Sequence, residues 1–247
     1  RAGGPPGPFI AAPMQQGGVP HRTAREIRNP ALATDLVGHV YEATPAEVDA
    51  ALAKQYDRPL FAGKPATTDL EGYVFGETYE FTSDVSVEMI LNRTFDEYEK
   101  YIKQYDLVNG YKKLGMNLYQ GITLASIIQK EVSGPEDSRQ VSQVFHKRLK
   151  DGMPLGADAT FVYAAKKEGR QPTVDFDSLY NTRIHKGLPP GPISAPGLNA
   201  LQAAANPAPG DYLYFVSGDD GKNYFSRTLQ EHEANTRAHC IKNCSLF

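Results

Sequence analysis

The segment Gly121 to Val132, GITLASIIQKEV, puts one acid where an apolar side chain belongs. At helical period Leu124, Ile127 and Ile128 fall on one apolar stripe, and Glu131 takes the next position of that stripe. Gln129 and Lys130 are expected to point the other way, toward water. An unpaired carboxylate on a core-facing stripe is costly to desolvate. Desolvation raises a carboxyl pKa and keeps the proton in place at neutral pH, which is what a general acid requires. The same position also suits a glutamate at the rim of a core, capping a loop or pairing with an arginine, because ion pairs perturb pKa as well. This segment alone leaves both readings open.

A second candidate surface follows downstream. The segment from Asp175 to Gly197, which contains SLYNTRIHKGLPPGPISAPG, is too rich in proline and glycine to form a regular element. Long ordered loops in compact domains commonly carry function. Here the prolines stiffen the backbone while Tyr180, Asn181, Thr182 and His185 offer polar groups and an aromatic face. That composition suits one wall of a carbohydrate groove, or else a purely structural connection. Other chemistries find no support: there is no Gly-Lys-Ser/Thr phosphate loop, GxGxxG, HExxH or GxSxG. His146 and His185 are isolated in sequence. Cys240 and Cys244 are either unrelated thiols or a small terminal disulfide, which would imply an oxidising setting and a local unwinding of the helix.

The elements that must position these residues read as mixed α and β. Residues 1 to 30 are Gly/Pro-rich and read as an extended arm. Thr44 caps a short helix from Pro45 to Lys54. DLEGYVFGETYEF, from Asp69, alternates in a strand-like way. Asp84 caps a long helix bearing Val87, Ile90, Leu91, Phe95, Tyr98 and Ile102, which Asn109-Gly110 breaks. Gly134-Pro135-Glu136-Asp137 opens a helix that Gly152 ends. On it, Arg139 and Arg148 could orient acidic groups or be surface arginines. Asp158 caps a helix closed by Gly169, and Leu198 to Ala205 forms a small one. Tyr212 to Ser217 and Tyr224 to Ser226 make a hairpin, and Thr228 with Glu231 is a capping box for the last helix.

Composition narrows the function classes. The 247 residues carry a net charge of −3, so there is no electrostatic footprint for nucleic acid. No run of eighteen apolar residues exists, so nothing is expected to span a membrane. The chain starts at an arginine without a signal peptide, and an anchor upstream of it is expected.

In order, LEGYVFGETYEF, LASIIQKEV, VFHKRLKDGMPLGAD, YNTRIHKGLPPGPISAPG, NPAPGDYLYFVS and YFSRTLQEHEA resemble the endolytic murein transglycosylases, the YceG-like family, over about residues 69 to 237. The resemblance implies an α+β catalytic domain over 68–247, with helices packed on a small sheet and hairpins and a lysozyme-like active-site helix. Ahead of it would lie a partial LysM-like or linker region, 31–67, and the arm, 1–30. It implies a bacterial enzyme that cuts nascent peptidoglycan between N-acetylmuramic acid and N-acetylglucosamine, leaving 1,6-anhydro ends that terminate strand elongation. Glu131 matches the catalytic glutamate. Tyr180, Asn181 and Thr182 match the binding loop, Asp158 and Thr160 the preceding motif, and Ser126 joins the substrate-binding set. The implied partners are glycan strands and cell-wall synthases, the implied place the extracytoplasmic face of the plasma membrane, and no metal or organic cofactor is required. The chain departs from the family at Gln129, often a glutamate, at Gly156-Ala157, usually Gln-Thr/Ser, and at Gly76, commonly Pro. A hydrolase using Asp158 or Asp175 and a non-catalytic peptidoglycan-binding scaffold are the competing readings.

Overall fold

The computed structural model describes residues 24–29, 32–81, 85–242 and 244. Among them, eight α-helices and two separate two-stranded antiparallel sheets make an α+β fold. Two compact units divide it: the described residues up to Gln55 with Thr78–Arg93, and Tyr56–Glu77 with Thr94 onward.

In the first unit β1 (Ala24–Asn29) pairs with β2 (Leu32–Tyr41), Ala24 opposite Tyr41, with an irregular register near Asn29. α1 (Pro45–Ala53) starts at the expected Thr44, whose side chain and that of Glu47 cap each other reciprocally. β1 begins inside the segment read as an arm; residues 1–23 of that arm, and the expected cap Asp84, lie outside the described residues. α2 (Val87–Gln104) starts in this unit and ends in the next.

The second unit is organised around α4 (Leu118–Glu131), opened by an Asn117–Gln120 capping box. Every residue from Gly121 to Ile128 is buried, so this helix has no solvent face along that run rather than a single apolar stripe. Around it pack α3 (Leu107–Lys113), α5 (Pro135–Lys150), α6 (Asp158–Lys167) and α7 (Leu198–Ala205). The hairpin of β3 (Tyr214–Ser217) and β4 (Asn223–Ser226) follows, then α8 (Leu229–His239) with its Thr228–Glu231 box. α8 stops one residue before Cys240, and the chain beyond closes a Cys240–Cys244 disulfide outside the helix.

The remaining side of α4 is covered by the proline-rich loop. Tyr119 donates its hydroxyl to the Pro190 carbonyl at 2.8 Å, and the Ile193 amide donates to Ser126 Oγ at 3.0 Å. Ser194 Oγ donates to the Ser126 carbonyl at 3.0 Å, and the Gly197 amide to Gln129 Oε1 at 2.8 Å. Positions 119, 126 and 129 share one side of a helix, so the loop runs along α4 stapled at three heights. Gln129 is therefore half-buried and turned to the loop, not to water, because a covered amide such as that of Gly197 needs an acceptor.

Two other expectations change. Residues 69–81 form no strand: the Tyr73 amide closes a turn on the Leu70 carbonyl and Gly72 sits at φ 84°. Two of the aromatics that suggested a strand, Tyr73 and Phe75, are buried instead in a cluster, with Phe61 4.9 Å from Tyr73 and Phe75 5.0 Å from Tyr98 between ring centroids, while Phe81 is exposed. Asn109-Gly110 lies inside α3, and the break falls at Asp106, φ 49°. A Cβ on Gly110 would sit 2.8 Å from that of Ala205, so this glycine serves helix packing.

Gly121 has a similar role at the heart of α4, where a Cβ would collide with the Tyr111 ring. Tyr111 is fully buried, its hydroxyl donated to the Leu201 carbonyl at 3.0 Å, so it cannot move aside cheaply. Gly121→Ala is expected to destabilise the protein by about 1–3 kcal/mol despite the better helix propensity of alanine. Chemical denaturation followed by circular dichroism checks this; unchanged stability would mean that α4 and α3 are not in close contact there.

Candidate functional site

Glu131 is the last residue of α4 and is half-buried. The helix brings it to the carbonyl end of its dipole, where a negative charge is disfavoured. Desolvation is the largest influence on its carboxyl, followed by the nearby Asp158 carboxylate; both favour the protonated form. The guanidiniums of Arg183 and Arg148 oppose them, and the balance leaves the carboxyl pushed up to about 7. The side chain that looked anomalous in the sequence is thus a half-buried acid that holds its proton near neutrality.

Its three charged neighbours come from three different places. Asp158 is the first residue of α6 and is ion-paired with Arg183 of the loop. Arg148, near the end of α5, is clamped: Nε donates to the Leu213 carbonyl at 2.7 Å and Nη1 to the Leu155 carbonyl at 2.5 Å. Its guanidinium also lies over the Tyr214 ring, 5.4 Å from the centroid, and Tyr214 in turn stacks on His232 at 5.4 Å. Gly156 makes room for this clamp. It adopts φ 65°, and a Cβ there would stand 3.0 Å from Arg148 Nη1.

The other candidate residues take distinct places. Thr160 and Thr182 are buried with their hydroxyls 3.0 Å apart. Thr182 also accepts the Ala157 amide at 3.1 Å, and its carbonyl accepts the Gly156 amide at 2.8 Å. This pairing locks the loop to the start of α6 and so delivers Arg183 to Asp158. Asn181 is buried too, donating Nδ2 to the carbonyls of Val174 and Phe176 at 3.0 and 2.9 Å and accepting the Arg183 amide at 3.0 Å. Ser126 is buried beneath the loop, as described above. Tyr180 stands elsewhere: its half-buried ring lies 5.1 Å from that of Tyr163, and burial pushes its hydroxyl up to about 12. Asp158 and Tyr163 are five residues apart on α6, roughly 7.5 Å along its axis. The loop therefore begins at the Tyr163 stretch of α6 and reaches the Glu131 end by Arg183. His146 gives its Nε2 contact to the Ala204 carbonyl at 3.0 Å, and Arg139 its Nε to that of Asn206 at 3.2 Å, so neither is held at Glu131.

Arg183 was not singled out in the sequence, and no local pattern marks it, since its partner Asp158 is 25 residues away. Among the described residues no cluster of three or more His, Cys, Asp or Glu could hold a metal ion, and no helix is long and apolar enough to cross a membrane.

Fold and site together define an α+β protein with a proton-retaining glutamate at the end of its buried central helix. The YceG-like family model matches residues 13–238, and the chain belongs to the YceG-like family. A relative from Bacillus subtilis named endolytic murein transglycosylase is 37% identical over 167 residues, 66% of this chain and 46% of the relative. A protein of the same name from Streptococcus pneumoniae is 31% identical, covering 69% of this chain and 32% of its own length. The chain thus spans half or less of these relatives. The crystal structure of a YceG-like protein from Listeria monocytogenes aligns with a TM-score of 0.62 at 33% identity, over 77% of this chain and 64% of the other.

A carboxyl with a folded pKa near 7, above its ordinary value of 4.5, is neutral in the folded protein while the unfolded chain already releases the proton. Between those pH values the folded state binds more protons, so stability falls as pH rises toward 7 and the cost persists above it. Glu131→Gln removes that cost. Its unfolding free energy is expected to exceed that of the parent at about pH 8 by an amount on the order of 2 kcal/mol, read as a higher thermal midpoint, and to match it near pH 4.5. Equal midpoints at both pH values would show that the carboxyl is not desolvated.

Proposed function

We propose that this chain is a lytic transglycosylase of murein, a carbon–oxygen lyase in which Glu131 serves first as acid and then as base. The observation that carries this reading is a carboxyl held near 7 at the end of a buried helix, with a carboxylate and two guanidiniums around it. The names of the relatives point to the same activity.

In this reading protonated Glu131 gives its proton to the oxygen joining N-acetylmuramic acid to N-acetylglucosamine, and the bond from that oxygen to muramic C1 breaks. The Glu131 carboxylate then takes the proton of the muramic C6 hydroxyl as its oxygen bonds to C1. The products are a free N-acetylglucosamine hydroxyl and a 1,6-anhydromuramic end, and Glu131 is again protonated. No water enters, so one carboxyl does the work that paired carboxyls share in glycoside hydrolases. Arg148, rigid between two carbonyls and the Tyr214 ring, stabilises the transient carboxylate without reorganising. Asp158 is engaged by Arg183, which favours this single-acid scheme over a hydrolase using Asp158 as base. Tyr180 offers its face to a sugar, while Asn181, Thr182, Thr160 and Ser126 act by holding the loop at the site. Action at the extracytoplasmic face of the membrane, beside strand-extending synthases and through an anchor, completes the reading. The Cys240–Cys244 disulfide supports that oxidising setting.

Glu131→Gln is expected to lower cleavage of purified murein by about 100- to 10,000-fold. Mass analysis of the parent digest should give anhydro ends, one water lighter than reducing ends; reducing ends would establish a hydrolase, and full activity of the variant would remove Glu131 from the chemistry. Activity of the parent should decline as pH rises through about 7, where Glu131 loses its proton. Arg148→Gln should move that decline to higher pH, since the guanidinium opposes protonation; an unmoved profile would separate Arg148 from Glu131.

A further inference from the structure

A groove of about 910 Å³ runs between the end of α3, the first turns of α4 and the last turns of α5, closed on one side by Leu188, Pro189 and Pro190. Its charge is opposite to that of the chain as a whole. The protein has 29 acidic against 26 basic residues, yet the groove's ionisable side chains besides Tyr119 are Lys113, Lys150 and His146, and no carboxylate lines it among the described residues. Both lysines are exposed, and neither has an acidic partner there. Each stands in the last turn of its helix, where the dipole favours a cation.

The other polar groups of the lining are engaged by the fold. Asn117 and Gln120 cap each other's amides, and Thr123 donates to the Tyr119 carbonyl at 2.8 Å. Tyr119 donates to Pro190 and His146 meets Ala204. That leaves two ammonium groups, with the side-chain NH2 groups of Asn117 and Gln120 as neutral donors, beside a lining that includes Leu114, Met116 and Leu149. A small inorganic anion would use the ammonium groups and leave the apolar lining idle. A chain with carboxylates and short apolar side chains matches both, and the volume lies within the range of roughly 300–1,000 Å³ that holds molecules of that size.

We propose that this groove binds an acidic peptide, its carboxylates on Lys113 and Lys150 and its apolar groups against the Leu188–Pro190 wall. Given the murein reading above, on which this identification rests, the peptide is the short stem carried by each muramic residue. The wall is shared: Tyr119 ties Pro190 to α4, and the same loop continues through Ser126 and Gln129 to the end of α4 that carries Glu131. The groove therefore reads the peptide with the back of the segment that covers the catalytic helix.

The test is a calorimetric titration of the tetrapeptide N-acetyl-L-Ala-γ-D-Glu-Nε-acetyl-L-Lys-D-Ala, which carries two carboxylates, no free amine and no glycosidic bond, into the parent protein and into Glu131→Gln. Both should bind it alike, and the affinity should fall as salt is raised. K113E/K150E should weaken binding at least about tenfold, and the peptide with its carboxyls amidated should bind the parent comparably poorly. If thermal melts show K113E/K150E to be unfolded, K113Q/K150Q gives the same readout. Unchanged affinity in the folded double variant, equal binding of the amidated peptide, or displacement of the peptide by equimolar inorganic phosphate would overturn the proposal, the last by reducing the groove to an anion site. Because the probe has no sugar, its failure leaves the role of Glu131 standing. Failure of Glu131→Gln to abolish cleavage would likewise leave a measured peptide affinity intact.

Discussion

Burial of α4 on all its faces from Gly121 to Ile128 is the constraint on which the rest of the protein depends. Along that run, a helix surrounded by α3, α5, α6, α7 and a stapled loop has no surface on which to shed a polar side chain. Its hydroxyls bond back to its own carbonyls or to the loop, and its one glycine is there because Tyr111 leaves no space for more. The carboxyl at its end cannot be fully hydrated, and the dipole of the same helix works against its charge. Proton retention by Glu131 is thus a consequence of how the helix is packed, not a property of the residue.

The charged groups around Glu131 set limits on that effect. Asp158 strengthens it, while Arg148 and Arg183 restrain it, so the carboxyl remains near 7 instead of becoming permanently neutral. The proposed acid-then-base role needs this balance, because the two protonation states have to be close in free energy at the working pH. The Arg148 clamp and the Arg183–Asp158 pair hold the cations in place, and the buried Thr160–Thr182 hydroxyl pair holds the loop that delivers one of them. The three threonine and asparagine side chains of this shell at positions 160, 181 and 182 give their polar atoms largely to backbone groups, which is how an irregular loop without a ladder of its own is kept in one conformation.

The proline-rich loop does two things at once. One of its sides, at Tyr180, meets Tyr163 of α6; another, at Leu188–Pro190, forms the wall of the basic groove. Between them it is fastened to α4 at Tyr119, Ser126 and Gln129. Gly156 and Gln129 each have a local role here: the first leaves space for Arg148, the second supplies the acceptor for Gly197.

Periodicity and helix-start residues were enough to read from the sequence the helices over 45–53, 118–131, 135–150, 158–167 and 198–205, the C-terminal hairpin, and the loop between Asp175 and Gly197, because each is signalled by residues close together in the chain. Asp158, expected as a cap, is instead the first residue of α6 and gives its carboxylate to Arg183. The same local reading marked Glu131, since an acid in phase with Leu124, Ile127 and Ile128 is visible without coordinates. It misread residues 69–81, where aromatic alternation served burial among Phe61, Tyr73, Phe75 and Tyr98 and not a strand. It also turned Gln129 to water and broke a helix at Gly110. Those errors share a cause: each residue's partner, at 98, 197 or 205, lies outside the residue's own segment. Only the tertiary structure could bring Arg148 and Arg183 to Glu131, put Thr182 beneath Asp158, or place two lysines from different helices over one groove, because electrostatic and packing neighbours are set by distance in space, which sequence spacing does not encode.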